Sequence, residues 1–119
     1  MTDLTRYSKR STVKLTTRGR KSGQARTVTI WFVVSGPRSI EVQHVSEPIA
    51  QWYRNLVADP AVSLDFGEGP IEGRATAIAD PREIADVLNR IRRKHWLLGP
   101  LIQLRSGKAT PVAARIEVA

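Results

Sequence analysis

"RTVTIWFVVSGPRSIEVQHV", residues 26–45, decides the fold. In its first nine residues Val28, Ile30, Phe32 and Val34 alternate against Thr27, Thr29, Trp31 and Val33. A period of two sends successive side chains to opposite faces, and β-branched and aromatic residues suit a pleated surface, so 26–34 reads as a strand. "SGPR", 35–38, is turn chemistry, and "SIEVQHV", 39–45, resumes the alternation on Ile40 and Val42. Upstream, "STVKLTT", 11–17, alternates on Val13 and Leu15. The three runs predict an antiparallel meander. Its first two strands are joined by "TTRGRKSGQAR", 16–26.

Downstream the period changes. Ile49, Trp52, Tyr53, Leu56 and Val57 form an apolar stripe at helical spacing, with Ser46, Glu47 and Pro48 as start chemistry and Asp59-Pro60 as the stop. "AVSLDFG", 61–67, and "IEGRATAIA", 71–79, read as two strands across the turn "GEGP". Asp80, Pro81 and Glu83 predict an N-cap, a first-position proline and a first-turn acid. Behind them Ile84, Val87, Leu88, Ile91 and His95 make a second stripe, running to Trp96. Residues 97–110 read as an irregular crossing segment, and "PVAARIEV", 111–118, as a last strand. The predicted fold class is α+β, mainly β: a six-stranded, mostly antiparallel split β-barrel with two helices, in the order β-β-β-α-β-β-α-β. No βαβ unit precedes the glycine-containing loop, which excludes a Rossmann reading.

The 119 residues suit one domain, 1–119, with 1–10 left open as a flexible lead-in. There is no cysteine, so disulfides, thiolate metal sites and thiol nucleophiles are excluded; no metal is expected. No apolar run approaches the roughly 20 residues of a membrane span, and the basic N-terminus lacks the apolar core of a signal peptide. The sequence therefore reads as cytoplasmic. The net charge of +8 is unevenly spread: eight Lys/Arg against one acid in 1–26, four against nine in 27–89, and seven against one in 90–119. If the two basic ends meet in space they make a concentrated positive surface for phosphates, carboxylate-tailed cofactors, nucleic acid or anionic lipid.

The joining loop is the sharpest feature. Gly19 and Gly23 let consecutive backbone N–H groups turn toward one point, Arg20 and Lys21 add charge, Ser22 adds a hydroxyl donor, and Arg26 offers a bidentate fork. Those groups suit a phosphate or carboxylate, although a basic hairpin tip is commonly a solvated loop. The GxxxxGK[ST] order of a Walker loop is missing. In "QWYRNL", 51–56, Trp52 and Leu56 belong to the apolar stripe, while Asn55 reads as sitting on the polar flank, free to bond a ligand heterocycle or nearby backbone.

Together "TTRGRKSGQART", the strand after it and "WYRNLVADPAVSLDFG" resemble the deazaflavin-dependent nitroreductase family, split-barrel flavin/deazaflavin oxidoreductases related to pyridoxamine-phosphate oxidases. Both blocks stand in the family's order and spacing, and the resemblance covers residues 13–80 best. It implies a reduced deazaflavin, coenzyme F-420, gripped by its phosphate and acidic tail, with the ring between barrel and short helix. Carried over, the resemblance makes Arg20, Lys21, Ser22, Gly23 and Arg26 the tail grip. It puts Thr29, Ile30 and Trp31 beside the ring and has Trp52, Asn55 and Leu56 lining the groove. Thr29 replaces the family's usual proline. The family's ring-side A-S-x-G-G segment appears as "QHVSEP", leaving His44 and Ser46 as candidate catalytic donors. The tyrosines of nitro-reducing relatives have no counterpart in "RRKHWLLGP".

The resemblance implies hydride transfer to a small electron-poor acceptor such as a quinone, enone or nitroaromatic, and a homodimer. Exposed apolar positions such as Trp31, Val33 and 96–102 would support the dimer. An alternative keeps the barrel and binds FMN, or haem, which the colour of purified protein separates. A third reading is a nucleic-acid or anionic-surface module built on "RIRRKHW", 90–96, which competes with a solvated helix face. Membrane association ranks below these.

Overall fold

The computed structural model describes residues 3–44, 50–95 and 111–119. The strands are β1 (Thr12–Arg18), β2 (Ala25–Trp31), β3 (Val33–Gly36), β4 (Ser39–His44), β5 (Ala61–Asp65), β6 (Pro70–Ala77) and β7 (Val112–Val118). The helices are α1 (Gln51–Ala58) and α2 (Pro81–Lys94), and a 3-10 turn spans Leu4–Tyr7. All strands join one sheet in the order β2-β1-β5-β6-β7-β4-β3, and every neighbouring pair is antiparallel.

That order forces curvature. β2 and β3 are the two edges, yet only Phe32 separates them in the chain. Laid flat, a seven-stranded sheet would hold its edges roughly 29 Å apart, six spacings of about 4.8 Å. The step from Trp31 to Val33 spans at most about 7 Å. The sheet therefore curls into a half-barrel, and the chain itself crosses the seam.

The described residues contain seven strands where the sequence predicts six, because the run 26–34 breaks at Phe32. Phe32 enters the core and Val33 is buried under α2 on the other face, so the alternation continues while the pairing passes from β1 to β4. The Phe32 ring packs edge-on to Phe66 with centroids 5.2 Å apart. Its carbonyl lies outside the strand assignments and accepts a hydrogen bond from Lys94 Nζ at 2.9 Å, so a side chain from α2 takes the place of a ladder partner.

Inward-facing Val13, Leu15, Ile40, Val42, Val62, Leu64, Ala114 and Ile116 form the core. Trp52 and Leu56 of α1 enter it near Thr17. Leu4 and Tyr7 enter it beside Phe66, where the Tyr7 and Phe66 rings stack at 4.3 Å. Residues 3–10, whose order the sequence leaves open, are thus held by two core side chains and by the Leu4 N–H donating to the Pro37 carbonyl at 2.7 Å.

α2 lies on the outer side, burying Val87 and Ile91 against Val33, Ile78 and Ala113. Its start is as predicted: the Asp80 side chain accepts from the Arg82 N–H at 2.9 Å, with Pro81 behind it. Beneath it Glu41 is only 1% exposed, bonded by Arg115 Nη2 at 2.8 Å and paired with Arg90. Two guanidinium groups offset the cost of burying that carboxylate. Val33, expected as exposed partner surface, is buried by α2, and Trp31 is half-buried, stacked on His95 at 4.2 Å. The start signals at 46–48 and the crossing segment 97–110 fall outside the described residues, as do 96–102 as a partner surface. No helix among the described residues is long and apolar enough to cross a membrane.

Candidate functional site

β1 and β2 pair in register to Arg18–Ala25, leaving residues 19–24 as the hairpin loop. The loop closes on itself, the Gly19 N–H donating to the Gln24 carbonyl and the Gly23 N–H to the Gly19 carbonyl, both at 2.8 Å. Gly23 has φ of +72°, a left-handed conformation that other residues adopt at a cost. At Gly19 a Cβ would lie 2.9 Å from Ser22 Oγ and 3.2 Å from the Gln24 carbonyl, so only glycine fits that close approach undisturbed. Ser22 Oγ accepts from the Gln24 N–H at 3.2 Å, which leaves its O–H free to donate outward.

The loop docks on α1 through Asn55. Asn55 Oδ1 accepts from Arg20 Nη1 at 2.9 Å and, more weakly, from the Arg20 backbone N–H at 3.4 Å. Asn55 Nδ2 donates to Thr17 Oγ1 at 3.2 Å. Asn55 is 4% exposed and Thr17 2%, so this is a buried polar junction whose groups satisfy one another. The sequence reading on a polar flank is corrected here. Asn55 follows Trp52 by three positions and so shares the helix face turned to the barrel.

Loop, β2 and α1 together wall a groove of about 680 Å³. Arg20, Lys21, Ser22 and Arg26 line one side, Trp52 and Asn55 the other, with Val28 between them. No carboxylate among the described residues lines it. Neither the Lys21 nor the Arg26 side chain makes a hydrogen bond or ion pair with any described residue, Arg26 being held only through its backbone in the β1–β2 ladder. Neighbouring Arg18 lies outside the groove, paired with Asp59 at 3.6 Å. Cations gathered without internal counter-charges raise the local positive potential, an arrangement that favours an entering anion.

The other predicted positions distribute as strand geometry dictates. Val28 and Ile30 share the inner side of β2, both half-buried against the core. Thr29 falls between them and faces a different hollow, lined by Arg10, Lys14 and Asp65. Trp31 lies under α2 against His95. Thr29, Ile30 and Trp31 are therefore not on one face, since consecutive strand residues point oppositely. Gly23 is on the far side of the hairpin, in a hollow with Thr16, Arg18 and Glu72. Leu56 is buried in the core at 2% exposure. His44 ends β4 half-buried, its ring edge-on to Trp52 at 6.4 Å, one side chain removed from the groove. Ser46 lies outside the described residues. Thr17, Val28 and Gln51 line the groove without having been singled out. Thr17 was recoverable, because the alternation Val13, Leu15, Thr17 puts a polar residue on the buried face.

The described residues contain no cluster of three or more His, Asp or Glu able to hold a metal ion. Within "RIRRKHW", Arg90 pairs with Glu41 of β4 and Asp86 of α2, Lys94 bonds the Phe32 carbonyl and the His95 ring stacks on Trp31.

The family model described as F420H(2)-dependent quinone reductase matches residues 3–113. No curated protein matches the sequence. Solved structures of similar fold include the conserved hypothetical protein Rv2991 from Mycobacterium tuberculosis, 22% identical over 97% of this chain and 78% of that one, with a TM-score of 0.71. A protein described as an F420 reductase is 20% identical over 98% of this chain and 93% of its own, with a TM-score of 0.69. The heme storage protein HutZ from Vibrio cholerae is 20% identical over 92% and 82%, with a TM-score of 0.68. At these identities the likeness is one of fold, and one fold hosts several chemistries.

Proposed function

Because the chain belongs to the F420H(2)-dependent quinone reductase family, we propose that it is a reductase that uses the reduced deazaflavin coenzyme F-420 to reduce a small electron-poor acceptor: a quinone, an enone or a nitroaromatic. The observation that carries the reading is the groove, with no acid among its described lining residues, in which Arg20, Lys21 and Arg26 meet Ser22 and Trp52. These residues fit the group. A phosphate with a carboxylate-rich tail needs several fixed donors and net positive charge, whereas FMN, with one phosphate, needs fewer.

In this reading Lys21 and Arg26 bind the tail by charge, Arg20 adds its remaining N–H groups, and Ser22 donates its hydroxyl proton. Gly23 gives the loop the left-handed turn that aims those groups. Trp52 and Val28 supply an apolar wall that orients the ring and keeps water from it. When bound, the reduced deazaflavin supplies the hydride, and the chemistry of that step is the cofactor's own. His44 and Ser46 are the candidate donors of the proton that completes reduction, by an imidazole N–H or a hydroxyl. Thr29, Ile30, Trp31 and Leu56 support the wall through the strand and core rather than by contact. A homodimer, the second copy covering the ring, belongs to the same reading.

The test is a fluorescence titration of purified protein with F-420 and with FMN. Wild type should bind F-420 more tightly, with affinity falling as salt rises. Lys21→Ala with Arg26→Ala removes two charged donors from exposed positions, and should weaken binding on the order of 100-fold or more without unfolding the chain. An unchanged affinity in that double variant refutes the groove assignment. A yellow protein that retains FMN and ignores F-420 refutes the cofactor.

A further inference from the structure

We propose that Asn55 is a positioning residue that fixes Arg20 at the groove wall while leaving its positive charge intact for the ligand; this rests on the reading of the groove as a polyanion site. Both polar atoms of the Asn55 amide are engaged within the protein, by Arg20 and by Thr17. One amide N–H remains on a side chain only 4% exposed, so the residue's main engagement is within the protein. It ties the second residue of the loop to α1 and the barrel wall.

The choice of a neutral amide is informative because four other arginines are paired with carboxylates. Arg6 is held by Glu68, Arg18 by Asp59, and Arg90 and Arg115 by Glu41. Each carboxylate offsets the cation it orders. Arg18 stands two residues before Arg20 on the same hairpin, so both solutions occur side by side. A carboxylate at position 55 would hold Arg20 at least as firmly, through a charge-assisted bond. It would also cancel one of the groove's three cations. The amide orders the guanidinium through Nη1 alone, and its other N–H groups stay available. Ordering a long side chain before the ligand arrives reduces the entropy lost on binding.

The experiment compares Asn55→Ala, Asn55→Asp, Arg20→Met and the double variant Arg20→Met/Asn55→Ala in the full chain. Two measurements are made: amide hydrogen exchange over residues 19–24 without ligand, and F-420 affinity at low and moderate salt. Asn55→Ala should exchange faster in the loop and bind about tenfold more weakly, since a hydrogen bond to a charged group is lost. Its salt dependence should stay as in wild type, because the charge count is unchanged. Asn55→Asp should keep the loop protected yet bind about tenfold more weakly with a shallower salt dependence, an effect that a purely structural role would not produce. The double variant should bind no worse than Arg20→Met, because Asn55 acts through Arg20.

Wild-type affinity in Asn55→Asp overturns the charge argument, and additive losses in the double variant overturn the coupling. If the buried aspartate prevents folding, the Arg20–Asn55 cycle decides alone. Wild-type protein that ignores F-420 while Asn55→Ala loosens the loop sinks the functional reading, and the charge argument with it, but leaves the contact. A coenzyme-binding wild type with an indistinguishable Asn55→Ala sinks the positioning role by itself.

Discussion

Lys94 sits at the seam of the barrel, its ammonium 3.7 Å from the centroid of the Phe32 ring and bonded to the Phe32 carbonyl. Partial burial lowers its pKa from the ordinary 10.5 to about 8. Between pH 8 and 10.5 the unfolded chain therefore holds a proton that the folded chain has released. Where the unfolded state binds more protons, stability rises with pH, so burial of this charge opposes folding below pH 8 and that opposition fades above it. Thermal melts at pH 8 and pH 10 should show a Tm change more favourable in wild type than in Lys94→Met; equal changes would sink the assignment. At this scale the sequence was readable where a residue's environment is set by its strand neighbours, as with Val13 and Leu15. It misjudged Asn55, because nothing on α1 reveals that a basic loop 35 residues earlier supplies its partner.

Elements were legible where their ends carry their own chemistry. α2 begins at Pro81 because Asp80 caps it from within the same few residues. Asp80→Ala should destabilise the protein by about 1 kcal/mol, the usual loss for an N-cap acceptor, checked by chemical denaturation. A change below a few tenths would mean that the packing of Val87 and Ile91 alone fixes the helix. The strand run 26–34 was less legible. Its alternation is unbroken, with Phe32 inward like Val28 and Ile30, but at Phe32 the chain leaves one edge of the sheet for the other. That break depends on Phe66 and Lys94, both far away in sequence. The placement of Thr29 and Trp31 follows from the pleat once the register with β1 is known: Thr29 opposes Lys14 and Trp31 opposes Thr12.

Taken whole, the molecule is a curled sheet with α1 entering its core near Thr17 and the N-terminal 3-10 turn entering beside Phe66. Leu4 is fully buried, so Leu4→Ala should cost about 2–5 kcal/mol in urea unfolding, the range for truncating a packed leucine. A loss under about 0.5 kcal/mol would show that the turn is not part of the cooperative core. The charge also divides at this scale in a way that composition does not reveal. The groove's three cations all come from the first basic segment, while Arg90 and Arg115 of the last are matched to buried Glu41. Alternation, turn residues and caps, all local, determined the two helices among the described residues, the antiparallel pairing of the first strands and the place of the basic loop between β1 and β2. Only the tertiary structure decided that the sheet curls so that its edges meet at Phe32, that Asn55 reaches Arg20, and which cations have no side-chain partner among the described residues. Those outcomes depend on contacts between residues tens of positions apart, whose geometry no local period encodes.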